Sequence, residues 1–276
     1  MTANQNSQLL VEDLTQQFAG LTALQRVNLT VETREGRAGL EGRVVGLIGP
    51  NGAGKTTLIN CISGLSRPSA GRILLDGRPL QNLPPHRINA LGIARTYQNI
   101  RLFRDMTVLG NVLVGQHRGG RASLLEALLY LPRHRREKHA FWQNGLALLE
   151  RFGLAGVAGA RADSLPYGDQ RRLEMARALA TGPQLLLLDE PTAGMNAVET
   201  ASAGEQILRA KAAGLAVLLV EHDMALVGQV CDEVYVLNFG QVIAHGAPDE
   251  VKADPRVVEA YLGKADLATG AAQGGT

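Results

Sequence analysis

The most informative part of this sequence is a run of nine residues that reads Gly49-Pro50-Asn51-Gly52-Ala53-Gly54-Lys55-Thr56-Thr57. It matches the phosphate-binding P-loop pattern G-x-x-x-x-G-K-[ST]. The run follows a short apolar segment, Arg43–Ile48, and precedes a helical pattern through Leu58, Ile59 and Ile62. Glycines let the backbone curl so that its N–H groups point at phosphate oxygens, and the next helix presents its positive N-terminal end to them. The run therefore predicts a nucleotide cradle at a strand-to-helix turn.

Two side chains of this run are expected to have specific tasks. Lys55 can reach the β- and γ-phosphates of ATP, and the hydroxyl of Thr56 can coordinate Mg²⁺. The alternative interpretation is a glycine-rich turn that binds nothing. A match in every required position, placed between a strand and a helix, favours the cradle.

A second segment, which ends in two acidic residues, predicts the part of the same site that carries out hydrolysis. Leu185–Leu188 is a buried-strand pattern that ends in Asp189 and Glu190. Ligands of open α/β sheets gather at the carboxyl ends of the strands. We expect Asp189 to hold Mg²⁺ through water and Glu190 to act as the base that orients the attacking water. The alternative is an acidic turn that only terminates the strand.

Two further polar residues are candidates for the same edge of the sheet. His222 follows the apolar strand Ala216–Val220, so it is expected to emerge beside Glu190 and contact the γ-phosphate. Gln98 follows Arg95-Thr96-Tyr97, and its amide can touch Mg²⁺ or the attacking water. Taken alone, Gln98 could equally be an ordinary loop amide.

The order of these patterns predicts an α/β fold. We expect a P-loop NTPase core of mixed sheet and helices, with an N-terminal antiparallel β subdomain that contains strands Leu9–Leu14 and Leu24–Val31. Helical periodicity dominates residues 99–164, which predicts an α-helical subdomain inserted into the core. The polar segment Thr33–Gly42 is interpreted as a surface loop. The domain is expected to span residues 8–263, followed by a disordered Ala/Gly-rich tail, 264–276.

Composition narrows the classes of function. Lys and Arg total 28 against 26 for Asp and Glu, and this near-balance argues against a nucleic-acid partner. The two cysteines, Cys61 and Cys231, are far apart and show no metal-ligand spacing, which is typical of a reducing compartment. No apolar run approaches the roughly 20 residues needed to cross a bilayer. Any work at a membrane is therefore expected to go through partner proteins.

Taken in order, these motifs resemble those of the ABC ATPases over residues 8–263. Leu165–Gln170 resembles the signature segment of that family. The resemblance implies that two ATPase subunits face each other head to tail and enclose ATP between the P-loop of one and the signature of the other. It also implies that backbone amides of Tyr167 and Gly168 serve the partner's nucleotide, and that Phe18 stacks on adenine. The alternative for Phe18 is a simple core residue.

Several segments are similar to one branch of the family, the ATPase subunits of importers for branched-chain or other hydrophobic amino acids. The segments are Arg95–Phe103, Tyr167–Arg172, Ala193–Asn196, Glu221–Met224 and Asp254–Gly263. This resemblance implies two transmembrane permease subunits as partners, a second ABC ATPase that is identical or paralogous, and an external substrate-binding protein that acts indirectly. It also implies a peripheral location on the cytoplasmic face of the inner (plasma) membrane, with ATP and Mg²⁺ as ligands.

The sequence departs from the family pattern at three places. Pro166 stands where the family has Ser, which removes one hydroxyl donor, and Asn196 stands where many members have Asp. Residues 33–42 are longer than usual. The segment Asn99–Val108, with Phe103 and Met106, is the candidate groove for a permease helix, although both side chains could equally pack within the insert.

Two other functions were weighed against transport. A soluble ABC ATPase that acts on nucleic acid or ribosomes usually carries two ATPase domains or a long coiled-coil insert, and the sequence has neither. A nucleotide switch that does not turn over is disfavoured by the presence of Glu190 and His222. The transported molecule is inferred from the resemblance alone.

Overall fold

The structure is a computed structural model, and it describes residues 8–32, 34–36, 39–116 and 132–261. The expected tail, 264–276, lies outside these residues, and so do the leucines at 124–129 that contributed to the helical prediction. In chain order the strands are β1 (Gln8–Phe18), β2 (Leu21–Glu32), β3 (Arg34–Gly36), β4 (Gly39–Glu41), β5 (Val44–Ile48), β6 (Ala70–Leu75), β7 (Arg78–Pro79), β8 (Ile93–Arg95), β9 (Leu185–Asp189), β10 (Ala216–Val220), β11 (Glu233–Asn238) and β12 (Gln241–Gly246).

Helices alternate with these strands through the described part of the chain. They are α1 (Lys55–Ile62), α2 (Pro85–Ala90), α3 (Val108–Gln116), α4 (Pro132–Arg151), α5 (Tyr167–Ala180), α6 (Ala197–Ala212), α7 (Met224–Val230) and α8 (Pro248–Ala253). None of the helices in the described ranges is both long enough and apolar enough to span a membrane.

A six-stranded sheet forms the centre of the molecule, with the strand order β12-β11-β5-β10-β9-β8. The strands from β11 to β8 run parallel, and β12 is antiparallel at the edge. Every residue of β5, β9 and β10 is buried. This explains why these strands are continuous apolar runs, because both faces of a parallel sheet are covered.

The two faces of this sheet pack against different layers. Leu185 and Leu187 belong to a core cluster shared with the N-terminal strands and α1, whereas Leu186 and Leu188 belong to a cluster shared with α3, α5 and α6. The alternation follows from the two-residue period of a β-strand. A separate four-stranded sheet, β2-β1-β6-β7, forms the antiparallel β subdomain at the N-terminus. The fold class predicted from the sequence is confirmed.

The helices α3, α4 and α5 pack together beside the central sheet. Their apolar side chains share the second core cluster, and Gly115 allows a close approach because a Cβ there would lie 2.5 Å from the carbonyl oxygen of Arg177. The segment between α4 and α5 carries two short 3₁₀ turns, Ala155–Val157 and Ala162–Ser164. Through the second core cluster α3, α4 and α5 pack against the face of the central sheet that carries Leu186 and Leu188.

One element prediction was wrong and others were missed. Residues 33–42 were expected to form a surface loop, but β3 and β4 pair there as an antiparallel hairpin with Glu35 opposite Leu40. Backbone pairing around the central glycines explains a strand that lacks an apolar pattern. The sequence interpretation also missed β8, α2, α7 and α8. These elements are three to seven residues long, too short for a periodic signal.

Both cysteines of the chain are expected to be unreactive in the folded protein. Burial raises the pKa of the Cys61 thiol to about 11 and that of Cys231 to about 12, so both remain protonated at neutral pH. Titration with a chromogenic disulfide at pH 8 should detect almost no thiol before urea is added and two afterwards. Stability should also fall above about pH 9, because the unfolded thiols ionise there first. Rapid labelling of the native protein would contradict this prediction.

Candidate active site

Four neighbouring parallel strands deliver the predicted catalytic residues to one edge of the central sheet. The P-loop follows β5, His222 follows β10, Glu190 follows β9 and Gln98 follows β8. The strands are nearly in register, since Val220 of β10 pairs with both Asp189 and Leu47. Their carboxyl ends therefore meet at one edge, which is where open α/β sheets bind their ligands.

The P-loop wraps around the side chain of Lys55. The ammonium donates to the carbonyl oxygens of Gly49 at 2.6 Å and of Pro50 at 3.2 Å, and the residue is only 7% exposed. Gly54 has a left-handed φ of 108°, and a Cβ there would lie 2.6 Å from the carbonyl oxygen of Ala23. Glycine is thus required by both the backbone conformation and the space at the start of α1.

An open cleft of about 490 Å³ lies over this loop. It contains most of the residues predicted from the sequence to bind nucleotide, and also Gln98 and Glu190. Phe18 lines it and is about half exposed, which rules out the alternative of a core residue. The lining residues are Phe18, Leu21, Thr22, Ala23, Asn51, Gly52, Ala53, Gly54, Lys55, Thr56, Thr57, Gln98, Glu190, Phe239 and Gly240.

Glu190 sits at a strained turn immediately after β9. Its φ is 49°, a left-handed conformation that non-glycine residues rarely adopt and that is often found at functional sites. Its Oε2 accepts a hydrogen bond of 2.9 Å from the Nε2 of Gln98. The structure therefore joins the two side chains that the sequence interpretation assigned to the attacking water.

Asp189 is buried below the cleft and is not part of its lining. Its Oδ2 accepts a hydrogen bond of 2.9 Å from the guanidinium of Arg95, which also donates to Asn60 and Ser63. No task for Arg95 was predicted from the sequence. A buried pair of this kind holds the carboxylate in one orientation, because separating the charges would leave both uncompensated.

The oxygen donors near the cleft suit a hard cation. Thr56 and Gln98 both line the cleft, and the buried Asp189 precedes Glu190, which also lines it. Magnesium prefers such oxygen ligands and keeps several waters, so an all-protein cage is not required. In the described ranges no three His, Cys, Asp or Glu residues form a metal-binding group. The donor set fits a cation that completes its coordination with phosphate oxygens and water.

His222 follows β10 at the same edge of the sheet, but it is exposed and is not among the residues that line the cleft. The residue before it, Glu221, is completely buried. One carboxylate oxygen of Glu221 accepts from the hydroxyl of Thr192 at 2.6 Å and from its N–H at 3.2 Å, and the other accepts from the His222 N–H at 3.1 Å. Glu221 therefore joins the turn after Glu190 to the segment that carries His222.

Tyr167 and Gly168 are not in the cleft. They form the first residues of α5, directly after Pro166, and Tyr167 is about half exposed. A Cβ on Gly168 would lie 2.3 Å from Oε1 of Glu199, so Gly168 packs closely against the first turn of α6. Asn196 caps α6 nearby by accepting from the N–H groups of Val198 and Glu199. The signature segment thus presents a helix start to the outside of the subunit.

The sequence interpretation missed several residues of the cleft wall. Phe239 and Gly240 belong to the turn between β11 and β12, and the N–H of Gly240 donates to the carbonyl of Ala53 in the P-loop at 2.9 Å. The contact of this turn with the P-loop depends on tertiary packing between segments that are distant in the chain. The sequence signal that could have drawn attention to this turn is the aromatic Phe239 next to Gly240.

Comparison with known proteins agrees with this geometry. The family model described as ABC transporter matches residues 38–193, and the model described as branched-chain amino acid ATP-binding cassette transporter matches residues 241–266. The high-affinity branched-chain amino acid transport ATP-binding protein LivG of Salmonella typhimurium is 44% identical over 93% of this chain and 98% of its own. Its counterpart BraF of Pseudomonas aeruginosa is 43% identical over the same shares.

A solved structure shows the same fold. The crystal structure of the ADP conformation of an ATP-binding cassette from an ABC transporter superposes with a TM-score of 0.78 and 32% identity, covering 93% of this chain and 99% of the other. Fold and site together define a nucleotide-binding ATPase of the cassette type. The chain belongs to the ABC transporter family, in the group of ATP-binding subunits that includes LivG and BraF. It is the ATP-hydrolysing subunit of a transporter.

Proposed function

We propose that this subunit powers the uptake of branched-chain or other hydrophobic amino acids through a membrane permease. The observation that carries the proposal is the convergence of the P-loop, Gln98, Glu190 and His222 at the ends of four adjacent strands. The cargo is supported by the relatives LivG and BraF and by the match of the C-terminal family model. A non-hydrolysing switch is not favoured, because Gln98 and Glu190 are already hydrogen-bonded at the cleft.

The residues of the cleft have separate tasks in this proposal. Phe18 stacks on adenine, and the backbone from Gly49 to Thr57 holds the phosphates together with the Lys55 ammonium. Glu190 is the base that orients the attacking water, and Gln98 and His222 position the water and the γ-phosphate. Phosphoryl transfer depends mostly on such positioning and on charge stabilisation.

Magnesium is proposed as the second ligand of the site. Thr56 and Gln98 would hold it directly and Asp189 through water, with Arg95 fixing the orientation of the Asp189 carboxylate. The bound metal supplies charge neutralisation for the phosphate oxygens. Arg95 is therefore proposed to contribute by holding the Asp189 carboxylate in the orientation that the metal requires.

Each site is proposed to be completed by a second ABC ATPase subunit, identical or paralogous. Tyr167 and Gly168 are the first residues of α5, and the N–H groups of a helix's first turn have no partner within the helix, which suits a phosphate of the partner's ATP. Asn99–Val108 is proposed as the groove for a permease helix, since Phe103 and Met106 are 47% and 40% exposed. Those exposures favour a partner contact over packing within the insert.

The remaining features of the proposal follow from this assembly. The cassette spans residues 8–263, with the helical subdomain at 99–164 facing the membrane. Two permease subunits hold the ATPase pair at the cytoplasmic face of the inner (plasma) membrane. An external substrate-binding protein delivers the cargo and acts on this chain only through the permease.

Uptake by proteoliposomes tests the cargo. The chain is assembled with two permease subunits and a second ABC ATPase in the membrane of the liposomes, and a substrate-binding protein is added outside. We expect ATP-dependent accumulation of radiolabelled leucine and none of aspartate, and we expect leucine accumulation to disappear with Glu190→Gln. Transport of aspartate without leucine would refute the proposed cargo while leaving the ATPase unaffected.

A further inference from the structure

The segment of residues 97–101 connects the cleft to the helical subdomain without regular secondary structure. Its backbone groups therefore need partners from elsewhere in the molecule. Side chains of α5 provide several of these hydrogen-bond partners. The guanidinium of Arg171 donates to the carbonyl oxygen of Tyr97 at 2.7 Å and also to that of Gln98. The N–H of Arg101 donates to the carboxylate of Glu174 at 3.2 Å.

The same guanidinium also contacts the signature segment. It donates to the hydroxyl of Tyr167 from Nη2 at 2.9 Å and from Nε at 3.2 Å. Glu174 lies 3.5 Å from its Nη1, and both residues are almost fully buried, at 5% and 2% exposure. We call Tyr167, Arg171 and Glu174 the Arg171 clasp. Buried charge-assisted hydrogen bonds of this kind are strong and directional.

The clasp connects two places that serve different nucleotides in the proposed assembly. Gln98 donates to Glu190 at 2.9 Å and so belongs to the chain's own site. Tyr167 starts the signature helix, which faces the partner's ATP. A continuous path of hydrogen bonds thus runs from Tyr167 through Arg171 to the backbone of Gln98 and on to Glu190.

We propose that Arg171 is a positioning residue that makes hydrolysis at one ATP site depend on occupation of the other. Engagement of the signature segment by the partner's nucleotide fixes Tyr167, Arg171 transmits that restraint to the Gln98 backbone, and Gln98 sets the orientation of Glu190. The inference rests on the head-to-tail pairing in the proposed function. Arginine suits the task because its planar fork reaches two carbonyls and a hydroxyl at once, whereas lysine is a point charge.

Steady-state kinetics of the full-length chain test the clasp. Arg171→Met should lower kcat by about tenfold to a hundredfold, as expected when a catalytic group is misplaced by a fraction of an ångström to an ångström. The Hill coefficient for ATP should fall from about two towards one, because the sites no longer communicate. The Kd for ADP, measured by calorimetry, should change by no more than about twofold, which corresponds to less than roughly 0.5 kcal/mol. Arg171→Lys should be intermediate in both kcat and Hill coefficient.

A neighbouring arginine provides the matched control. Arg172 lies on the same helix but is partly exposed, and it pairs with Asp169 of the same helical turn at 3.1 Å. Arg172→Met should behave like the native chain. If Arg171→Met does not fold, Tyr167→Phe removes only the hydroxyl acceptor and should still lower the Hill coefficient.

The possible outcomes distinguish a failure of the coupling through Arg171 from a failure of the head-to-tail pairing of two subunits. Undiminished cooperativity in folded Arg171→Met or Tyr167→Phe overturns the clasp. A native chain that shows no cooperativity, together with a Glu190→Gln variant that does not dimerise with ATP, refutes the head-to-tail pairing itself.

Discussion

Replacing Glu190 with Gln is expected to lower ATP turnover by about 10²- to 10⁴-fold, the usual contribution of a general base. The amide has nearly the shape of the carboxylate but cannot accept a proton. The residue is held by a left-handed turn and by the Gln98 amide, so the substituted side chain should keep its place. The loss should therefore appear in kcat, measured as phosphate release.

The same variant should still bind ATP and should favour the dimer. The P-loop is unchanged, and loss of one negative charge beside the γ-phosphate removes a repulsion. Gel filtration with Mg-ATP should show the dimer, and with ADP the monomer. Glu205→Gln is the control, because Glu205 is exposed on α6 and forms an ion pair with Arg209 one turn away. A kcat of the Glu190→Gln variant within twofold of the native value would contradict the role of Glu190 as the base.

Replacing Lys55 with Ala should instead weaken nucleotide binding itself. Hydrogen bonds to a charged group contribute about 1.5–3 kcal/mol, which corresponds to roughly a tenfold to a 150-fold rise in Kd for ATP. The ammonium is already held inside the loop by the carbonyls of Gly49 and Pro50, so binding requires little reorganisation of it.

Calorimetric titration with Mg-ATP and with adenosine separates the effect of Lys55 from a loss of folding. The affinity for ATP should fall, whereas weak binding of adenosine through Phe18 should be unchanged. Lys252→Ala, at an exposed position of α8, is the control for charge. An unchanged Kd for ATP in Lys55→Ala would contradict the role of the P-loop ammonium.

Much of the fold could be predicted because its central strands are recognisable locally. Strands β5, β9 and β10 are apolar runs bounded by polar residues, and β10 was predicted with its observed ends. By contrast, β8 is three residues long and is a strand because it pairs with β9. Its position in the sheet comes from a partner about 90 residues further along the chain, which no local pattern reveals.

The residues of the candidate site also divide into those that a local motif predicts and those whose role depends on a distant partner. The P-loop and the residues after the strands could be found in the sequence because each is a short contiguous motif. Arg95 and Arg171 could not be given tasks, since each acts through a partner that is distant in the chain. Arg95 ends an edge strand and Arg171 lies within a helix, and both are ordinary there until their partners are known.

The buried carboxylate of Glu221 has a mechanical consequence. It is bonded on one side to Thr192, two residues after Glu190, and on the other to the backbone of His222. If either loop shifted alone, a hydrogen bond to a charged group would be lost in the protein interior, at a cost of about 1.5–3 kcal/mol. The two loops are thus mechanically coupled, and a displacement of the loop after β9 is transmitted to the loop after β10.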